Sequence, residues 1–390
     1  MVLSDLQERA LQDVSNWFHS CRGCLTMRTA DYYVLYGIAG SGKSTLVTYL
    51  QEMLDITKVV TITYTGMAAC VLMRKGNDQS STIHRLIYDT KVMTNKKTKK
   101  KAFVTDLKEK GTIGDLELII VDECPMVPDD MIKDILSFGI PVLFLGDPEQ
   151  LPPIFGDNTL KCNFFLDEPH RQALDSPILL LANYARTKQF DKIRLGTYGE
   201  HVRVFSRLDF EEDSIFKADQ IICGKNATVK SLNAFYRKSF LGYSDKLIRD
   251  HEKIMCLANN WNIDNQGGFS LVNGLIGYAS NISIKIKSQI YELDFKPEFT
   301  KEFSKIDIDK CLFEGMDELP MEVELFRLPL SDSINTLNEF AYAYAITTHK
   351  SQGSEFPYVT FFPEVLDRKN YYRLLYTGIT RAKEDLDIIF

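Results

Sequence analysis

The sequence predicts an α/β protein of two units, each a parallel sheet flanked by helices, with a small β-rich insertion in the second. Three observations carry that expectation. Apolar, β-branched runs recur at 32–36, 59–64, 116–121 and 142–145, each ahead of a polar or glycine-rich turn and a helix-like stretch. That alternation belongs to parallel sheets. A second set follows at 220–223, 341–347, 358–362 and 386–390. Residues 245–330 lose the rhythm and show short alternating runs such as 282–286, with punctuation at Gly267 and Gly268, the pattern of short antiparallel strands.

A chain of 390 residues exceeds the usual single domain and allows two or three sizeable cores. A hydrophobic content of 45% with 25% charged residues is that of a globular protein. No run of about 18 uncharged apolar residues occurs, and Asp5, Glu8 and Arg9 stand where a signal peptide carries its apolar core. The expected setting is the cytoplasm, the host's if the source is viral, with no membrane attachment. Of the eight cysteines, Cys70, Cys223 and Cys256 lie in apolar runs, as reduced core thiols do. Cys21 and Cys24 form a lone C-x-x-C without a second pair, so they read as incidental thiols rather than a zinc or redox site. A net charge of -7 excludes binding of nucleic acid by bulk charge. Any strand contact must be local.

Gly37-Ile-Ala-Gly-Ser-Gly-Lys-Ser44 fits G-x-x-x-x-G-K-[ST] between an apolar strand and a helical run. Glycines let backbone wrap phosphate, while loop amides and the helix N-terminus supply donors and partial positive charge. Gly37, Gly40, Ser41, Gly42 and Thr45 are the expected cradle, Lys43 the contact to the β- and γ-phosphates of ATP, and Ser44 a ligand of Mg²⁺. The run Leu118-Ile-Ile-Val-Asp-Glu123 delivers two acids at a strand's carboxyl end, where open α/β sheets place ligands. Asp122 is expected to hold Mg²⁺ and Glu123 to position or deprotonate the attacking water. A pair of acids in this position is otherwise plain solvated punctuation; the upstream P-loop decides for chemistry.

A P-loop alone admits kinases, transporters and GTPases, so three later segments matter. Gly146-Asp-Pro-Glu-Gln-Leu-Pro-Pro153 follows the next apolar strand, which brings Gln150 to the same sheet edge as a candidate γ-phosphate sensor. Thr347-Thr-His-Lys-Ser-Gln-Gly-Ser-Glu355 and Tyr376-Thr-Gly-Ile-Thr-Arg-Ala382 come after it in order. With these segments the chain resembles the B-type, RecD-like branch of the superfamily 1 helicases, and within it the small phage enzymes. The resemblance runs over nearly the whole chain, its specific motifs over about a fifth.

The resemblance implies two RecA-like motor domains with ATP bound in the cleft between them. It implies that Gln7 reads adenine, that Arg171 meets the γ-phosphate and that Arg381 is the arginine finger. A cation supplied to the transition state is worth about 10³ to 10⁵ in rate in comparable enzymes. For either arginine the plainer role is a surface salt bridge. The resemblance also implies a strand groove along Thr65, Thr82, His84, Thr348, His349 and Lys350, whose hydroxyls and ammonium suit phosphate contacts that position a strand without reading it. His84 reads equally well as a satisfied structural histidine. Two departures stand out, Tyr64 where the family has proline and Pro125 where it has a small residue.

Residues 91–110 hold eight lysines against Asp106 and Glu109. In relatives a hairpin pin that splits duplex is inserted here, with Phe103 the aromatic near its tip; the alternative is a solvated loop. The Asn273-Gly-Leu-Ile-Gly277 run matches an N-G-x-x-G pattern of the SH3-like module in RecD-type enzymes. The implied organisation is a first motor domain over 1–155 with the pin at about 88–112, a second over 156–245 and 331–390, and the SH3-like insertion over 246–330. The implied activity is ATP-dependent, 5′ to 3′ movement on single-stranded DNA with duplex unwinding. Its partners are single-stranded DNA, single-strand to duplex junctions and replication or recombination proteins, and the chain acts as a monomer. A translocase that opens no duplex, an RNA helicase of the viral superfamily 1 type and a binding module with an inactive P-loop share these motifs.

Overall fold

The computed structural model describes residues 3–23, 31–77, 80–94, 101–168, 176–265, 269–285, 290–298, 300–313, 338–365 and 367–390. They form two compact units. The first comprises Met1–Tyr64, Leu72–Ile193 and Tyr372–Thr380, and the second Thr65–Val71, Arg194–Tyr371 and Arg381–Phe390. Among the described residues no helix is long and apolar enough to cross a membrane.

The first unit holds a six-stranded parallel sheet in the order Ser81–Thr82, Val59–Thr63, Leu118–Asp122, Val142–Gly146, Tyr32–Gly37, Phe164–Leu166. Every residue of Val59–Thr63 and Val142–Gly146 is buried, because helices cover both faces. Successive side chains alternate between those faces. Leu35, Leu118, Ile120, Leu143 and Leu145 meet Val14 and Phe18 of helix Asp5–Gly23 and Leu46 and Leu50 of helix Lys43–Leu54. Val34, Tyr36, Ile119, Val121 and Phe144 instead meet Ile132 and Ile135 of helix Asp129–Leu136.

The register pairs Tyr36 with Gly146 and Val121 with Phe144. The P-loop, the Asp122-Glu123 pair and the Gly146–Pro153 segment therefore leave three neighbouring strands at one sheet edge. Strand Phe164–Leu166 pairs with Tyr32–Gly37, which extends this unit beyond the expected limit at 155. Three residues are too few to show a period, so only their pairing reveals them as an edge strand.

Within residues 88–112 the lysine-rich segment folds as an antiparallel hairpin, Tyr88–Thr94 against Lys101–Leu107. Phe103 stands opposite Val92, and the last described pair is Thr94 with Lys101. Residues 95–100, and the side chain of Phe103, lie outside the described part.

The second unit has a six-stranded sheet in the order Ala345–Thr347, Gln220–Cys223, Phe356–Phe362, Ala382–Ile389, Val202–Phe205, Gly196–Tyr198, parallel except for its last pair. Beside it in sequence is an antiparallel five-stranded sheet, Phe303–Asp309, Ile290–Pro297, Ile276–Lys285, Lys253–Cys256 and Phe340–Tyr342. Tyr291, Leu293, Phe295, Phe303, Ile306 and Phe340 form its core. The apolar run 341–347, expected as one strand, is thus divided: Phe340–Tyr342 closes the small sheet and Ala345–Thr347 enters the large one. The small sheet accordingly includes residues up to Tyr342, past the expected limit at 330.

Candidate functional site

The P-loop follows the buried strand Tyr32–Gly37 and ends at helix Lys43–Leu54. Gly40 and Gly42 have φ of 76° and 82°, a region where an L side chain costs about 1–2 kcal/mol. At Gly42 a Cβ would also lie 2.6 Å from Gln7 Nε2. That amide donates to the Ser41 carbonyl at 3.0 Å, while Gln7 Oε1 accepts the Ser4 amide at 2.9 Å. Gln7 therefore braces the loop from the N-terminal helix. Lys43 Nζ donates to the carbonyls of Gly37 at 2.6 Å and Ile38 at 3.0 Å. Thr45 is partly buried in the first turn of the helix. The side chain of Ser44, and Arg171 altogether, lie outside the described part.

Asp122 ends its strand and accepts the Glu123 amide through Oδ1 at 2.9 Å. Burial raises its carboxyl above the usual range, opposed by that hydrogen bond and by the charges of Lys43 and Lys75. Asp122, Lys75, Asn77, Thr48 and Thr61 also line a cavity of about 470 Å³. The next residue, Glu123, has φ 53° and ψ 40°. A non-glycine residue is uncommon in that region, and here it turns the chain sharply out of the strand.

At the third strand end, Asp147 is fully buried, and its Oδ1 accepts the Glu149 amide at 3.1 Å. Its other oxygen takes the hydroxyl hydrogen of Tyr376. The same hydroxyl accepts the Ala39 amide of the P-loop at 2.8 Å. Burial and the neighbouring Asp147 carboxylate push the Tyr376 phenol well above its ordinary range. Thr377 Oγ1 accepts the Leu151 amide at 3.1 Å. Between these two ties stands Gln150. Gln150 Oε1 and Ser41 Oγ are buried without a hydrogen-bond partner among the described residues. Orphaned polar atoms are uncommon in protein interiors, and a polyanion with hydrated metal is a group that satisfies them.

Thr82 Oγ1 accepts the Arg85 amide at 3.2 Å and caps helix Ile83–Ile87. The ring of His84 lies between those of Tyr64 and Tyr88, at 6.3 and 5.5 Å. Burial lowers the His84 pKa. In the second unit, Thr65 Oγ1 accepts the Ala68 amide at 3.3 Å at the start of helix Gly66–Arg74. Thr348 is wholly buried, and both its amide and its hydroxyl donate to the Cys223 carbonyl, at 2.8 and 3.1 Å. Its hydroxyl is committed to the fold; His349 and Lys350 beside it remain closer to solvent. Burial lowers both of their pKa values. Arg381 is buried and donates to the Ser354 carbonyl at 3.0 Å.

The structure thus gathers Gln7, Gly37, Gly40, Ser41, Gly42, Lys43, Asp122, Glu123 and Gln150 in the first unit. Thr65, Thr348, His349, Lys350 and Arg381 belong to the second. Sequence reasoning quoted Asp147 and Tyr376 inside motifs but gave them no role, and it overlooked Lys75. The signal at hand was a polar residue opening one motif, Tyr376, and another directly after the opening glycine of the other, Asp147.

Two family descriptions match the chain: an AAA domain over residues 23–176 and a UvrD-like helicase C-terminal domain over residues 342–389. An uncharacterised protein of Methanocaldococcus jannaschii is 23% identical over 91% of the chain. The RecD subunit of the RecBCD enzyme from Buchnera aphidicola of Acyrthosiphon pisum is 24% identical over 90%. The chain spans 36% of the former and 63% of the latter. Among solved structures, Pif1 helicases studied at forked double-stranded DNA superpose with a TM-score of 0.60 at 19% identity, covering 100% of this chain and 92% of theirs. Pif1 from Bacteroides, in complex with ADP-AlF3 and single-stranded DNA, gives 0.57 at 17% identity with the same coverage. At such identities these likenesses establish the fold.

Proposed function

We propose that this chain is a member of the RecD/Pif1-like B-type branch of superfamily 1 and an ATP-driven DNA helicase that moves 5′ to 3′ along single-stranded DNA and opens duplex. The observation that carries ATP turnover is the meeting of Lys43, Asp122, Glu123 and Gln150 at three adjacent strand ends of one parallel sheet. Ligands of open α/β sheets bind at that edge.

In this reading Lys43 leaves its loop carbonyls for the β- and γ-phosphates, and the P-loop amides and helix N-terminus hold the remaining oxygens. Ser44 and Asp122 would hold Mg²⁺, which neutralises phosphate charge when bound. Glu123, aimed by its left-handed turn, orients the attacking water and takes its proton. Gln150 supplies a buried amide to the γ-phosphate side. Arg171 and Arg381 are assigned the stabilising cations on family resemblance, and Gln7 the adenine edge.

Thr65, Thr82, His84, His349 and Lys350 are the proposed strand contacts, with Thr348 anchoring the segment of the last two to the Cys223 carbonyl. The hairpin 88–107 is the proposed pin. Melting a base-pair step costs about 1.4 kcal/mol on average, so the pin need only keep separated strands apart. The small antiparallel sheet is read as the SH3-like module, and the protein as a monomer working on single-stranded DNA and its junctions with duplex. Replication or recombination proteins are its proposed partners.

The decisive experiment is ATP-dependent unwinding of a short DNA duplex with a 5′ or a 3′ single-stranded tail, at low salt because phosphate contacts weaken steeply with salt. Opening only of the 5′-tailed duplex is expected. Opening only of the 3′-tailed duplex refutes the polarity, and strand-stimulated ATPase without opening leaves a translocase. Stronger stimulation by RNA than by DNA refutes the substrate.

A further inference from the structure

We infer that Tyr376 is a positioning residue for ATP turnover, holding the P-loop and the Gln150 turn in register with each other. The inference rests on the chain being an ATP-driven motor. Helix Tyr371–Ile379 lies in sequence between two strands of the second unit's sheet, yet it packs within the first unit. What it contributes there is polar. Tyr376 hydroxyl accepts the Ala39 amide at 2.8 Å and donates to the Asp147 carboxylate. One residue on, Thr377 accepts the Leu151 amide at 3.1 Å.

Asp147 and Leu151 flank Gln150, whose own amide donates to the Asp147 carbonyl at 3.1 Å. Two consecutive side chains of one helix therefore fix both ends of the turn that carries the buried, unpartnered Gln150 Oε1. The Tyr376 hydroxyl adds the P-loop as a third point. A phenylalanine would fill the same space, so packing alone does not call for this hydroxyl. Placing it beside a fully buried carboxylate is costly unless both are hydrogen-bonded, and here each satisfies the other. Phosphoryl transfer is sensitive to misplacement of about 1 Å, which is the scale on which loss of these ties would free the turn.

The test is steady-state, DNA-stimulated ATP hydrolysis by Tyr376→Phe, Asp147→Ala and Asp147→Asn, with kcat expressed per site titrated by a fluorescent ATP analogue. Tyr376→Phe is expected to lower kcat about tenfold, with KM for ATP within about twofold of wild type. Asp147→Ala should match it, and the double variant should be no worse than either. Asp147→Asn keeps one oxygen, enough for the tyrosine or the Glu149 amide but not for both through separate atoms, and should retain more turnover than Asp147→Ala. A Tyr376→Phe enzyme with wild-type kcat overturns the inference, as does a loss expressed wholly in KM or an Asp147→Asn variant as poor as Asp147→Ala. A wild-type chain that hydrolyses no ATP overturns the motor reading itself.

Discussion

Replacing Glu123 by alanine and by glycine separates its chemistry from its backbone strain. At φ 53° and ψ 40° an L side chain costs about 1–2 kcal/mol, a cost glycine escapes. Both variants lack the carboxylate, so both should lose ATP turnover by about 10²–10³-fold, the scale seen when one transition-state group is removed. Both should still bind ATP. Stability should divide them. At an ordinary position glycine is worse than alanine by roughly 0.5–1 kcal/mol, because its unfolded chain is freer. Here relief of the left-handed strain outweighs that, leaving glycine ahead by about 0.5–1 kcal/mol. For a domain of about 150–250 residues this is roughly 1–4 °C in Tm. Calorimetric unfolding of the two variants without nucleotide is the assay. An alanine variant more stable than the glycine variant would refute the claim that strain is stored at Glu123.

Deletion of residues 96–101 should abolish duplex opening while sparing DNA-stimulated ATPase; unchanged opening in a tailed-duplex assay removes the pin assignment. Lys43→Ala should lose ATP turnover at least about 10²-fold with an unaltered circular dichroism spectrum, and full turnover would refute the P-loop site. Arg237 and Glu252 pair at 2.6 Å with side chains only 4% and 2% exposed, so Arg237→Ala should cost about 3–5 kcal/mol by leaving a buried carboxylate uncompensated. Urea unfolding showing a loss under about 1 kcal/mol would mean that water reaches the pair. Burial holds His84 below its ordinary value, so the folded state keeps it neutral. Its contribution is constant above the unfolded pKa of about 6.5 and declines as pH falls from there toward the lower folded value, at no more than about 1.4 kcal/mol per pH unit. His84→Gln should flatten that decline in urea titrations between pH 7.5 and 5.5; an unchanged slope would show that His84 titrates normally.

Much of the site was legible because its chemistry is local. The P-loop needs glycines at fixed offsets between a strand and a helix, and the Leu118–Asp122 strand announces two acids by the four apolar residues before them. Gln150 followed from the same rule, since parallel strands present their carboxyl ends together. Thr348 shows the limit. Its place in a motif suggested a strand-facing hydroxyl, whereas the fold buries it against the Cys223 carbonyl. The edge strand Phe164–Leu166 and the division of the 341–347 run were likewise invisible, because each depends on which distant strand supplies the hydrogen bonds.

The sequence by itself determined the phosphate loop and the acid pair, which rest on spacing within about a dozen residues, and the alternation of strands and helices and the order of motifs, which are read along the chain without knowing its contacts. Only the tertiary structure decided that Gln7 braces Ser41, that Glu123 sits in a left-handed turn and that Tyr376 and Thr377 hold the Gln150 turn from 229 and 226 residues away. Such ties join side chains with no common period along the chain. They come into being only when burial brings a donor and an acceptor together out of water, where leaving either unpaired is costly.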